Sequence, residues 1–282
     1  MMTRNTIGIF DSGVGGLTVA DALHRLLPTL PIRYIADSAY FPYGERSDAE
    51  VEARASVLTE RLVAEGCVLV VVACNTASSA ALERLRAQSL VPIVGMEPPL
   101  KPAAERTRSG HVAVLATSAT TRGERLARLQ DAHAGSTNVV SLPMSGLADL
   151  VEGGEVDGER VRALLHRALE AMPADVDEVA LGCTHYGFLR PALEAMLGPG
   201  VEVLDASEPV ARQVLRQLEA HGIPLPSAAG AELAVRCSTT GVLDAFAAVI
   251  ARLRAAGATL PPIEFVPLEQ PLEQTSGLGT PV

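Results

Sequence analysis

Two cysteines in this chain stand where a strand hands over to a helix. The first is Cys74 in "VLVVVACNTASSAAL", where an apolar β-branched run (Val68 to Val72) gives way to Cys74, Asn75 and Thr76 and then to a helical pattern. The second is Cys183 in "DEVALGCTHYGFLRPALEAM", where Thr184 and His185 follow the thiol in the same way. At the start of a helix, unpaired N–H groups and the helix dipole favour a thiolate and can also bind a carboxylate. Asn75, Thr76 and Thr184 add side-chain donors, so each segment is fitted to hold a small anion. His185 is placed to exchange protons with Cys183 or with a substrate, and Asp11, which ends the first strand, is placed to do so near Cys74 or to grip an ammonium group. Two opposed thiols astride one carbon describe racemisation or epimerisation by two bases. One thiolate removes a proton from one face, and the other thiol delivers a proton to the opposite face. Because the α-proton of an amino acid is weakly acidic, anion-binding donors must also stabilise the developing carbanion.

The elements that must carry these residues alternate along almost the whole chain, which predicts an α/β fold with mainly parallel sheets. The chain also repeats itself. A strand ending at Asp11-Ser12 corresponds to one ending at Thr117-Ser118, with Cys74 63 positions after Asp11 and Cys183 66 after Thr117. Glu97-Pro98 follows Cys74 by 23 positions, and Glu208-Pro209 follows Cys183 by 25. The expectation is two pseudo-symmetric α/β domains with the site in the cleft between them. The first comprises residues 1–97, completed by 209–256; the second comprises 98–208, leaving 257–282 as a C-terminal tail that is either disordered or packed on a partner subunit. The helical patterns "EPVARQVLRQLEAHG" and "STTGVLDAFAAVIARLRAAG" follow the second repeat, with no new sheet expected for them to cover. In open parallel sheets ligands bind beyond the carboxyl ends of strands, and Asp11, Ser12, Cys74, Asn75, Thr117, Ser118, Cys183, Thr184 and His185 all fall at such ends.

Composition narrows the function classes. The 282 residues carry a net charge of −10, which argues against non-specific binding to nucleic acid or to anionic membranes. "MMTRNTIGIFDSG" has no apolar stretch of signal-peptide length and no run is long enough to span a bilayer, so a cytoplasmic protein is expected. The four cysteines then belong to a reducing compartment; with no CxxC spacing, neither structural disulfides nor a zinc ribbon are expected. Of the 23 basic residues only Lys101 is a lysine, and it lies between prolines outside any site motif. Pyridoxal phosphate, which needs a Schiff-base lysine, is therefore disfavoured. "DSGVGG" is not a dinucleotide loop, because Thr18 takes the place of the last glycine; its glycines are most simply read as a tight strand-to-helix turn. Cys67 and Cys237 read as small core residues, and His24, His111, His133, His166 and His221 as surface or packing residues.

"IGIFDSGVGGLTV", "FPYGERS", "VVACNTASSAAL", "MEP", "LVEGG" and "LGCTHYGFLRPAL" resemble, in order, the motif set of the glutamate racemases, in the cofactor-independent aspartate/glutamate racemase family. The resemblance runs from about residue 7 to residue 254. It implies interconversion of L- and D-glutamate, supplying D-glutamate to bacterial peptidoglycan, without a cofactor or metal. It further implies that Cys74, assisted by Asp11, takes the proton from D-glutamate, and that Cys183, assisted by His185, takes it from L-glutamate. Asp11-Ser12, Tyr43-Gly44, Asn75-Thr76 and Thr184-His185 match the family's substrate-contacting pairs, with Pro42 and Thr121 as neighbours and Glu152 of "LVEGG" in support. A homodimer is expected on the same basis. The chain departs from the pattern at Met96, where the family more often has a β-branched residue, and in its longer tail. Two other readings stay open: an aspartate or hydantoin racemase of the same superfamily, and a non-catalytic amino-acid binding or thiol redox protein.

Overall fold

The computed structural model describes residues 5–227 and 230–269. Two parallel sheets organise it. The first takes β1 (Thr6–Asp11), β2 (Ile32–Ala36), β3 (Cys67–Val72) and β4 (Ile93–Val94) in the spatial order β2-β1-β3-β4. The second takes β5 (His111–Ala116), β6 (Asn138–Pro143), β7 (Glu178–Gly182) and β8 (Glu202–Leu204) in the order β6-β5-β7-β8. The two orders are the same, strand for strand, so the repeat read in the sequence is a repeat of topology.

The apolar run before Cys74 is continuous because β3 is central and covered on both faces. Its alternation survives in packing: Leu69, Val71 and Ala73 join the core that runs through both sheets, whereas Val70, Val72 and Cys74 join a second core on the opposite face. The second of those faces is covered by α2 (Asp48–Ala64) and α3 (Asn75–Gln88). Helix α2 starts where a capping box forms: the Ser47 hydroxyl accepts from the Glu50 N–H, and the Glu50 carboxylate accepts from the Ser47 N–H. On the other face α1 (Leu17–Leu26) packs against α10 (Ser207–Ala220), so the chain returns to the first sheet after β8. The remaining helices are α4 (Leu100–Arg106), α5 (Ser118–Arg122), α6 (Glu124–His133), α7 (Leu147–Glu152), α8 (Glu159–Leu169), α9 (Arg190–Leu197) and α11 (Leu243–Ala255).

Two strands depart from expectation. β9 (Val235–Thr239) pairs with β2, and β10 (Ile263–Phe265) pairs with β9, extending the first sheet to β10-β9-β2-β1-β3-β4. Residues 235–239 were not expected to be extended, and part of the region read as a C-terminal tail is sheet. β9 escapes a sequence reading because it is only five residues long and mixes Arg236, Ser238 and Thr239 with two apolar positions; β10 is only three. The rest of the expected tail, 270–282, lies outside the described residues.

The end of the second sheet away from Cys183 carries one frustrated carboxyl. Glu178 is 5% exposed, its Oε2 has no hydrogen-bond partner among the described residues, and it stands in register with Glu202 on β8. Burial first, then the Glu202 and Asp177 charges, push its pKa up to about 7 from the ordinary value near 4.5. A raised carboxyl pKa means that the folded state prefers the protonated form, so this contribution is intact below about pH 4.5 and lost as pH rises through about 7. Glu178→Gln is therefore expected to be more stable than the parent by about 1–3 kcal/mol at pH 8, with the gap nearly closed at pH 4.5. Urea midpoints at the two pH values check this, and an equal gap at both would contradict it.

Candidate active site

The carboxyl ends of β1, β3, β5 and β7 surround a cavity of about 110 Å³, lined from both sheets. The first contributes Ser12, Cys74, Asn75 and Thr76, with Phe41 to Glu45 from the loop after β2; the second contributes Thr117, Ser118, Gly182, Cys183, Thr184, His185 and Tyr186, with Met144, Ser145 and Gly146 from the loop after β6 and Ala148 and Asp149 from the helix that follows it. The volume suits a compact metabolite and falls well below the ~300–1,000 Å³ of a drug-sized pocket.

Cys74 is the N-cap of α3 and is 6% exposed; Cys183 caps the short 3-10 turn Thr184–Leu189 and is 8% exposed. The two thiols therefore reach one small cavity from different sheets. Cys183 Sγ lies 3.7 Å from His185 Nδ1, and His185 Nε2 lies 2.7 Å from Glu152 Oε1. The same Glu152 oxygen accepts from the Val14 N–H at 2.5 Å, which ties the end of α7 to the loop after β1. Burial opposes a charge on His185, but the Cys183 and Glu152 partners outweigh it and hold the ring pKa well above the usual histidine value. In the protonated ring both nitrogens are donors, Nδ1 toward the sulfur and Nε2 toward the carboxylate.

The other thiol is in the opposite surroundings. Burial, then the Asp11 carboxyl, push the Cys74 thiol well above its ordinary pKa, even though the Ala77 N–H pulls the other way. The helix start alone predicts a lowered value; desolvation and an adjacent acid override it here. Asp11 is itself raised, chiefly by burial, despite the opposing charge of His185. It is fully buried and does not line the cavity. Its Oδ2 accepts from the Gly16 N–H at 2.7 Å and from the Thr184 hydroxyl at 3.3 Å. Asp11 therefore stands beside Cys74, behind the residues that line the cavity.

Asn75 is 4% exposed, and neither its Nδ2 nor its Oδ1 has a partner among the described residues. Burying an unpaired amide costs roughly 1–3 kcal/mol, and its place on the cavity wall makes a polar ligand its natural partner. Nearby, Thr76 Oγ1 lies 3.2 Å from Thr117 Oγ1 and 3.5 Å from Thr120 Oγ1, joining the two sheets through hydroxyls.

Of the expected site residues, Ser12, Pro42, Tyr43, Gly44, Cys74, Asn75, Thr76, Cys183, Thr184 and His185 line the cavity, and Glu152 stands behind His185. Thr121 does not line it; its hydroxyl bonds to the Ser118 carbonyl at 3.1 Å. Buried Thr120, one residue earlier and about 100° away around the helix, is the one that meets Thr76. Adjacent threonines in "TSATT" give no signal by type, only by helical phase.

The glycines of "DSGVGG" serve close approach rather than a special turn. Gly13, Gly15 and Gly16 all avoid positive φ. A methyl on Gly13 would overlap Glu152 Oε1, and one on Gly15 would lie 2.5 Å from Thr184 Oγ1 and 2.6 Å from His185 Nδ1. One on Gly16 would lie 2.8 Å from Asp11 Cβ. Cys67 and Cys237 are buried core residues, and burial holds the Cys67 thiol up at about 12. His24, read as a surface or packing residue, is buried with its Nε2 2.6 Å from Glu232 Oε1.

Comparison with known proteins adds to this geometry. The family model described as Asp/Glu/Hydantoin racemase matches residues 11–214. A glutamate racemase of Roseiflexus sp. (strain RS-1) is 43% identical over 249 residues, covering 88% of this chain and 91% of that protein. Among solved structures, a glutamate racemase isoform from Bacillus anthracis superposes with a TM-score of 0.81 at 31% identity, over 96% of this chain and 100% of that one. The Escherichia coli glutamate racemase, solved with L-glutamate and the activator UDP-MurNAc-ala, gives a TM-score of 0.79 at 30% identity, over 94% and 99%.

Proposed function

The chain belongs to the Asp/Glu/hydantoin racemase family, and from that membership we propose that it is a glutamate racemase acting by two-base proton transfer without a cofactor. The observation that carries this is the meeting of Cys74 and Cys183 in one cavity from two sheets of the same topology.

The surroundings of the two thiols support one starting state. Cys74, its thiol pKa raised by burial and Asp11, starts as the acid, and Cys183, 3.7 Å from His185 Nδ1, starts as the base. That arrangement takes the α-proton of L-glutamate at Cys183 and delivers a proton from Cys74 to the other face, giving D-glutamate. The reverse reaction starts from the exchanged state, with Cys74 as base, Asp11 receiving or returning its proton, and His185 serving Cys183. Glu152 keeps the His185 ring oriented and charged. Asn75 supplies a donor and an acceptor that have no partner among the described residues, and Ser12, Thr76 and Thr184 supply hydroxyls for the substrate's carboxylates. These donors also stabilise negative charge that spreads from the α-carbon to the α-carboxylate as the proton leaves.

The product role that goes with this assignment is supply of D-glutamate for peptidoglycan. Among the described residues no helix is long and apolar enough to cross a membrane; a cytoplasmic location and a homodimeric state belong to the same proposal, the latter checked by sedimentation. The reaction is tested with freshly reduced protein, no added cofactor, and L-glutamate, D-glutamate and L-aspartate in separate arms. Loss of optical activity with both glutamate enantiomers and not with aspartate is expected. Racemisation of aspartate alone would transfer the assignment to the other branch of the family, and no turnover of any of the three would remove it.

A further inference from the structure

The loop between β2 and α2 supplies five cavity residues, Phe41 to Glu45, and is held by a buried polar cluster centred on Asp37 and Arg54, neither of which lines the cavity. At its centre, Asp37 is fully buried and Arg54 of α2 is 1% exposed. The guanidinium grips the carboxylate at both oxygens, Nη2 to Oδ1 at 2.7 Å and Nε to Oδ2 at 3.1 Å. The Tyr43 hydroxyl donates to Asp37 Oδ2 at 2.5 Å, and Arg54 Cζ lies 3.8 Å over the Tyr40 ring. Thr240, just beyond β9, closes the cluster from the far end of the chain: its hydroxyl donates to Asp37 Oδ1 at 2.8 Å and accepts from the Ala39 N–H at 3.1 Å.

We propose that Asp37, Arg54 and Thr240 are positioning residues that clamp segment 38–46 over the cavity, and so set the affinity for glutamate without taking part in proton transfer. Three facts point this way. None of the three lines the cavity, yet they touch Tyr43, which does, and Tyr40, which immediately precedes the lining residues Phe41 and Pro42. A desolvated ion pair contributes little net stability compared with apolar packing of the same volume, and its best-attested use is to fix one conformation among several. The clamp also gives a purpose to β9, the strand outside the repeated topology: it brings Thr240 to the loop that roofs the site. Phe41, held within this loop, lies 5.6 Å from the His185 ring between centroids, so the clamped loop also closes one side of the Cys183–His185 pair.

The proposal rests on the racemase assignment and is tested so that the two fail separately. Thr240→Val removes both hydroxyl bonds while keeping shape and lies away from the cavity; Arg54→Lys keeps the charge but loses the fork. In Thr240→Val, KM for both enantiomers is expected to rise about 3- to 10-fold with kcat within about twofold. Arg54→Lys should raise KM about 10- to 100-fold. Backbone amides in 38–46 should exchange with deuterium faster in both variants, and added D-glutamate should restore part of the protection. A lower melting temperature with unchanged KM, or a fall in kcat at constant KM, would overturn the clamp. If the parent protein turns over no glutamate, the racemase assignment falls. The clamp is then judged on exchange alone, and unchanged protection of 38–46 in Thr240→Val would reject it.

Discussion

Replacing either cysteine by serine is expected to abolish net racemisation, with kcat/KM lowered by about a thousandfold or more. A positioned acid or base contributes roughly 10²–10⁴-fold, and in this cavity no neighbour can take over the lost role. Asp11, behind Cys74, is fully buried and committed to the Gly16 N–H and the Thr184 hydroxyl. His185, beside Cys183, has its Nε2 engaged 2.7 Å from Glu152 and its Nδ1 3.7 Å from the sulfur, so it is placed to serve that thiol rather than to replace it. Because the enantiomers have equal energies, both directions must fall together. Any residual α-proton exchange with solvent is a different matter. It should be confined to L-glutamate in Cys74→Ser, where Cys183 survives, and to D-glutamate in Cys183→Ser. Chiral chromatography measures the first effect, and proton NMR in deuterated solvent measures the second. Full racemisation by either variant would remove the two-thiol assignment.

Gly15→Ala is expected to cost about a hundredfold in kcat while leaving the fold in place. The added methyl enters at 2.5 Å from Thr184 Oγ1 and 2.6 Å from His185 Nδ1, so the two side chains, or the turn itself, must shift. His185 Nδ1 faces the Cys183 sulfur, and Thr184 Oγ1 bonds to Asp11. One methyl therefore disturbs the partners of both thiols. Misplacement of reacting groups by ~1 Å is enough for a loss of ~10²-fold, whereas overpacking at one buried position destabilises by about 1–3 kcal/mol. Steady-state kinetics beside a urea titration separates the two. If activity falls only in proportion to the unfolded fraction, the glycine serves the turn alone.

Much of this was legible in the sequence because the chemistry lies at strand ends, where an apolar run stops and a polar residue begins. That signal found both cysteines, Asp11, Ser12, Asn75 and the Thr184-His185 pair, and the repeat showed that the two cysteines are one problem. What was illegible depends on contacts between distant segments. Gly15 looked like a turn residue because the groups that forbid a side chain there, Thr184 and His185, lie about 170 positions away. Arg54 sits in a helix rich in charged residues and nothing local distinguishes it from a solvated arginine; only Asp37 and Tyr40 reveal it. Thr121, named only through the family resemblance, does not line the cavity, and residue type gives no sign that Thr120 is the threonine facing Thr76. The raised pKa of Cys74 was missed for a similar reason: the helix start is visible in the sequence, but the depth of burial and the position of Asp11 are not.

The central claim is that two thiols act on opposite faces of one carbon, and isotope incorporation tests it most directly. L-glutamate is incubated with the protein in deuterium oxide, and the reaction is stopped at a few per cent conversion. Two-base transfer predicts that the D-glutamate formed carries deuterium at the α-carbon while the remaining L-glutamate carries almost none. D-glutamate that retains the original proton, or equal label in both enantiomers, would mean that a single base serves both faces and would contradict the account.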